Sequence, residues 1–217
     1  MDSVRTLLLS LWQGHARALG CSDLQVVRGV FDRLSASYTE AHRAYHTLDH
    51  LVHVFAELGW GASTAQDPLR LAFAAWFHDA VYDPHRGDSE ERSALRARED
   101  LAQLGADAAL RDRVARLILA TKAHAHGGED AEADLFLDAD LAILGAPEDA
   151  YVAYVAGVRR EYGHLSSADW RTGRGAFLAS TLARARIFRT DAYETRYGVP
   201  ARRNLTAELR ALQASHA

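Results

Sequence analysis

The chain has 217 residues, 48% hydrophobic and 25% charged, with 4 prolines and a net charge of -4. That size carries a full core without staples, the composition excludes disordered, collagenous and coiled-coil chains, and the acidic balance argues against a binder of DNA or RNA duplexes. Cys21 is the only cysteine, so no intrachain disulfide or thiolate zinc cage can form, a reducing cytoplasm is the expected setting, and any metal must be held by His, Asp and Glu.

Helical signals run throughout and strand alternation is almost absent. The apolar run Leu7 to Trp12 is too short to span a bilayer or to form a signal core, so neither a membrane nor a targeting segment is expected. Ser22 and Gln25 resemble a capping box for a helix bearing Val26, Val27, Val30, Phe31 and Leu34. In YHTLDHLVHVFAEL, residues 45–58, helical spacing puts Leu48, Leu51, Val52, Phe55 and Leu58 on one face and His46, Asp49, His50, His53 and Glu57 on the other. Either that second arc is solvated, or His46 and His50, at i and i+4, line a cleft together. Asp67 and Pro68 read as N-cap and first residue of a helix whose apolar run, Leu69 to Tyr82, must end at Pro84. Asp88 opens the next helix, with Glu90 and Glu91 suited to its N-terminus and Gly105 closing it. Further helices are expected at about 106–123, 132–144 (closed by Gly145), 147–162, 170–189 and 201–214, with Asn204 an alternative cap for the last. The expectation is one all-α domain, residues 1–217, of about nine helices.

Polar residues stand out where this pattern gives them no solvent. PLRLAFAAWFHDAVY, residues 68–82, is apolar on every side and so expected to be buried. Arg70 can reach water near its end, but His78 and Asp79 sit deep, where an unpaired carboxylate costs several kcal/mol. A divalent metal would satisfy both; an arginine beside the Asp and a backbone carbonyl beside the His would do so too. In EADLFLDADLAILG, residues 132–145, Asp140 falls inside the arc of Phe136, Leu137, Leu141, Ile143 and Leu144, and Asp138 at its edge. Asp140 is thus expected to need a cation, and Asp138 to be solvated or to support the site from behind. Lys122 is the only lysine beside 24 arginines, either a compact ammonium for a phosphate or a chance survivor. His124 and His126 are two apart, so at most one enters a site if the helix continues to Gly127 and Gly128. Asp83 reads as a supporting base or a helix-ending residue, and Arg159, Arg160 and Tyr162 as phosphate contacts or exposed helix polarity.

Taken together, His50, His78-Asp79 and Asp140 resemble the H…HD…D signature of the HD-domain metal-dependent phosphohydrolase superfamily, an all-α fold. YHTLDH, residues 45–50, is similar to the YHNxxH motif of class I cyclic-nucleotide phosphodiesterases, with Thr47 at the Asn position. That likeness implies His46 as general acid and His50 as metal ligand. ILATKAHAH, residues 118–126, is similar to the segment that follows their HD pair and leaves His124 and His126 as alternatives. Over most of the chain FHDAVYD, SEERSA, LDADLAILG and RREY resemble uncharacterised bacterial HD-superfamily phosphohydrolases. The resemblance implies one or two divalent ions (Mn, Fe, Co, Ni or Zn, with Mg an option) on His50, His78, Asp79 and Asp140. Asp79 could bridge two. His46, Asp79 and Lys122 would act in catalysis, with His124, His126, Asp83, Asp138, Arg159 and Tyr162 as contacts to substrate or a second metal. The implied partner is a small phosphorylated substrate, a nucleotide first, attacked by metal-activated water while His46 protonates the leaving oxygen. A homodimer is compatible with this reading. Two other functions fit the same frame: an HD-type di-iron oxygenase, and a metal or nucleotide sensor without turnover.

Overall fold

A computed structural model describes residues 2–61, 65–125 and 129–214. The helices are α1 (Asp2–Leu19), α2 (Leu24–Ser37), α3 (Leu48–Gly61), α4 (Pro68–Phe77), α5 (Ser89–Gln103), α6 (Ala108–Thr121), α7 (Ala131–Leu141), α8 (Glu148–Glu161), α9 (Ser167–Leu182), α10 (Asp191–Tyr193) and α11 (Val199–Ala214). A 3-10 turn, Ala142–Gly145, follows α7, and a π turn, Glu194–Gly198, follows α10. No strand occurs among the described residues, as the sequence leads one to expect. The chain divides into two compact units, Met1–Leu137 and Asp138–Ala217.

The first unit is built around α4, whose residues Leu71 to Phe77 are all buried and against which α1, α3, α5 and α6 pack. Trp12, Phe73, Trp76 and Phe77 form an edge-to-face aromatic cluster, with Trp12 Nε1 donating to the Val27 carbonyl at 2.8 Å. The N-terminus of α4 is as expected: Pro68 leads, and the Asp67 carboxylate accepts from the Arg70 amide at 3.1 Å. Arg70 itself does not reach water. Its guanidinium pairs with Asp130 at 2.5 Å and Glu132 at 3.4 Å, because the start of α7 lies beside it.

The other end of α4 departs from expectation, stopping at Phe77 instead of continuing to Tyr82. Helix-terminal carbonyls need donors from elsewhere, and side chains remote in sequence supply them. Tyr38 Oη donates to the Trp76 carbonyl (3.1 Å), Arg43 to that of Asp79 (2.8 Å), Arg96 to that of Ala80 (3.1 Å), and Ser93 to that of Val81 (3.1 Å). Burial pushes the Tyr38 hydroxyl up to about 12, which keeps it a donor.

Local capping corrects several expected boundaries. Asp23, not Ser22, caps α2, its carboxylate accepting from the Gln25 and Val26 amides at 2.9 and 3.1 Å. Asp88 stands at the start of α5 but makes no cap bond, since Arg86 holds its carboxylate. Gly105, at φ +86°, closes α5 in the left-handed region that suits glycine. In the second unit α9 begins earlier than expected and ends at Leu182, where Arg202 donates to the carbonyls of Leu182, Arg184 and Ala185. Asn204 is not a cap: it lies buried inside α11 and donates to the carbonyls of Leu144 and Ala146. The same unit buries an ion pair, Arg174 with Glu208 at 2.8 Å, joined by the hydroxyls of Tyr151 and Tyr154.

Asp23→Ala should cost about 1 kcal/mol in urea unfolding, and Ser22→Ala close to nothing. Trp76→Ala, which removes the side chain that α4 buries most deeply, should cost about 3–5 kcal/mol.

Candidate metal centre

Three imidazoles of the first unit face one carboxylate oxygen. Asp79 Oδ2 lies 3.1 Å from His78 Nε2, 3.6 Å from His50 Nε2 and 3.9 Å from His46 Nε2. The Nε2 atoms of His50 and His78 are 3.0 Å apart. His78 and His50 are buried, whereas the side chains of Asp79 and His46 keep 19% of their surface. The early end of α4 makes this meeting geometric: His78 is the C-cap residue, Asp79 follows in a turn, and neither is locked into a helical face.

The tautomer of His78 follows from its neighbour. Its Nδ1 donates to the Ala75 carbonyl at 2.9 Å, and a carbonyl can only accept, so in the neutral ring Nε2 presents a lone pair toward His50 and Asp79. Burial alone would push the Asp79 carboxyl up, but the imidazoles of His78, His46 and His50 outweigh it and hold the carboxyl well below the usual carboxylate range. The donors His50 Nε2, His78 Nε2 and Asp79 Oδ2 are of a kind and spacing that a small divalent ion takes.

His46 joins this group by a route the helical pattern does not describe. It lies in the bend before α3, so it is not one turn from His50 on a shared helix. Its ring is 5.7 Å from that of His50 and lies against Tyr82, 4.2 Å between centroids at 30°. The polar arc of α3 is likewise not a solvated face, because His50 and Glu57 are both buried while Phe55 and Val52 are only half-buried. Two contributors have no counterpart in the sequence reading. Arg43 has a fully buried side chain, and its Nη1 donates to the carbonyls of both His46 (3.1 Å) and Asp79 (2.8 Å). Tyr82 gives His46 its ring contact. The only sequence signal for either is proximity to the two motifs.

On α7 the two aspartates exchange the expected roles. Asp138 is the buried one, and it accepts from the Arg189 amide (2.8 Å), the Thr190 amide (2.7 Å) and the Thr190 hydroxyl (2.8 Å). Donors rather than a cation satisfy it, and it fastens the segment leading into α10. Asp140 is half-buried. It stands one turn beyond Phe136, whose ring meets His78 edge-on at 5.9 Å.

The remaining candidates lie as follows. Lys122 Nζ binds Glu91 at 2.5 Å and the Gly87 carbonyl at 2.6 Å, linking the end of α6 to the start of α5. His124 follows α6 at φ +44°, and His126 lies outside the described residues. Asp83 accepts from the His85 amide and closes the turn before α5. Arg159 donates to the carbonyls of Tyr162 and Leu165 and lies over the Trp170 ring, while Tyr162 is the C-cap residue of α8. No family model, curated protein or solved structure matches the chain.

Removing Asp138 strands three donors, so Asp138→Ala should cost on the order of 3 kcal/mol in unfolding. A second expectation concerns acid. A carboxyl held low stabilises the folded state above its ordinary value of 3.8, and this contribution disappears as pH falls through the lower folded-state value. Metal-free Asp79→Asn should therefore lose less stability than the parent on acidification below about pH 4, as read by chemical unfolding across that range.

Proposed function

We propose that this centre binds a divalent transition metal and hydrolyses a small phosphoester, a nucleotide first among candidates, in the cytoplasm. The observation that carries the reading is the meeting of His50, His78 and Asp79. These residues carry most of the HD resemblance, they come from separate parts of the chain, and their ligand atoms lie within 3.0–3.6 Å of one another. The His78 tautomer agrees, since metal-bound histidines usually donate their other ring nitrogen to a carbonyl or carboxylate. Asp140 is the proposed fourth ligand: His50, His78 and Asp140 each offer one ligand atom, and Asp140 continues the α7 face that Phe136 turns to His78.

A bound metal supplies water activated near neutral pH and polarises the phosphoryl group. The chain's own residues orient and move protons around it. The Ala75 carbonyl fixes the His78 ring so that Nε2 points inward. Asp79 favours the charged form of His46, whose Nε2 lies 3.9 Å from its carboxylate. The partly exposed His46 can then pass that proton to the leaving oxygen.

Metal analysis of protein supplied in turn with Mn, Fe, Co, Ni, Zn and Mg should find binding that His50→Ala, Asp79→Ala and Asp140→Ala abolish. Asp138→Ala should retain it. His46→Ala should also keep the metal while lowering kcat by on the order of 100- to 10,000-fold on esters with poor leaving groups, with little loss on bis(p-nitrophenyl) phosphate. A parent protein that takes up none of these ions would remove the reading. Iron retention with oxygen consumption and no phosphoester turnover would assign an oxygenase instead.

A further inference from the structure

We propose that Arg43 is a positioning residue that sets the distance between the proton donor His46 and the ligand Asp79; the roles of those two residues rest on the function proposed above. Arg43 lies in the irregular segment between α2 and α3, and its side chain has no exposed surface. One nitrogen, Nη1, donates to two carbonyls remote in sequence, that of His46 at 3.1 Å and that of Asp79 at 2.8 Å. Nε donates to Glu40 at 3.0 Å. The guanidinium also lies against the rings of Tyr38 and Tyr82, 5.0 and 5.4 Å from their centroids. Tyr82 in turn meets the His46 ring at 4.2 Å. Arg43 therefore holds His46 twice, through its backbone carbonyl and through the ring that supports its imidazole, and holds Asp79 by the same nitrogen.

This arrangement is a poor device for stability alone. Nη2 is buried and makes no hydrogen bond, and Glu40, the carboxylate paired with the guanidinium, is largely exposed. A well-packed apolar residue often serves a fold as well as a buried ion pair does. What a planar, charged fork adds is a fixed geometry among several acceptors and two ring faces, which an ammonium does not reproduce.

The test uses Arg43→Met and the charge-conserving Arg43→Lys in the full chain. In metal-free protein, amide hydrogen exchange is followed at Thr47, Ala80 and Val81, whose amides are bonded to Tyr45, Phe77 and Ser93. Both variants should speed exchange at these amides about 10-fold or more while α6 keeps its protection. Arg43→Lys supplies the measurement if Arg43→Met does not fold. In metal-loaded protein both variants should keep the metal and lower the rate on poor leaving groups by on the order of 10- to 100-fold. That loss should vanish in the His46→Ala background, since a residue acting through His46 has nothing left to position. Faster exchange throughout the chain, opening of one segment without the other, or a rate loss that persists in the His46→Ala background would each overturn the proposal. If the parent binds no metal, the proposed function fails, while the exchange measurements still decide whether Arg43 joins the two segments.

Discussion

The first unit depends on how a wholly buried helix comes to an end. The last turn of a helix leaves carbonyls without intrahelical donors, and α4 ends in the protein interior, where water is not at hand to supply them. Tyr38, Arg43, Arg96 and Ser93 take the place of the missing amides from Trp76 to Val81. His78 adds two donors of its own, its amide to the Ala74 carbonyl and its ring Nδ1 to that of Ala75. The ring nitrogen used to finish the helix is what turns the other one toward His50 and Asp79. Termination of α4 and assembly of the cluster are thus one structural event, and the side chains that secure the first also orient the second.

How much of this was legible in the sequence depended on the range of the interactions. The start of α4 was readable because its signals, Asp67 and Pro68, are adjacent to it. Its end was not, because Tyr38, Arg43 and Ser93 lie far along the chain from the carbonyls they satisfy and leave no periodic trace. His50, His78 and Asp79 were found as unusual polar residues in apolar surroundings. The relation of His46 to His50 was read from helical pitch, although His46 precedes α3 and reaches the cluster through a bend. Asp138 and Asp140 were ordered by angle about an isolated helix, and that construction has no knowledge of Arg189 and Thr190, which lie beside Asp138 and bury it.

Burial by itself did not separate structural from chemical carboxylates. Asp138 is more deeply buried than Asp79, yet two amides and a hydroxyl satisfy it. Glu208 is also buried, and Arg174 with Tyr151 accounts for both of its oxygens. Asp79 differs in the chemistry of its neighbours. It faces three groups that can each be neutral or cationic, so its surroundings can adjust their charge, whereas an amide or an arginine is fixed.

That difference also indicates what a bound ion would require. Around Asp79 alone, a single proton carried by the imidazoles is enough to balance the carboxylate. A divalent ion brings twice that charge, and neutral imidazoles supply lone pairs without offsetting any of it. A second carboxylate is then needed, and on the proposed reading Asp140 provides it. Its half-buried state suits that role better than full burial would, since a carboxylate waiting for an ion must remain soluble without one. Asp138, already saturated by donors, has no comparable capacity. The two aspartates of α7 are therefore distinguished by what remains available to their oxygens and not by their depth.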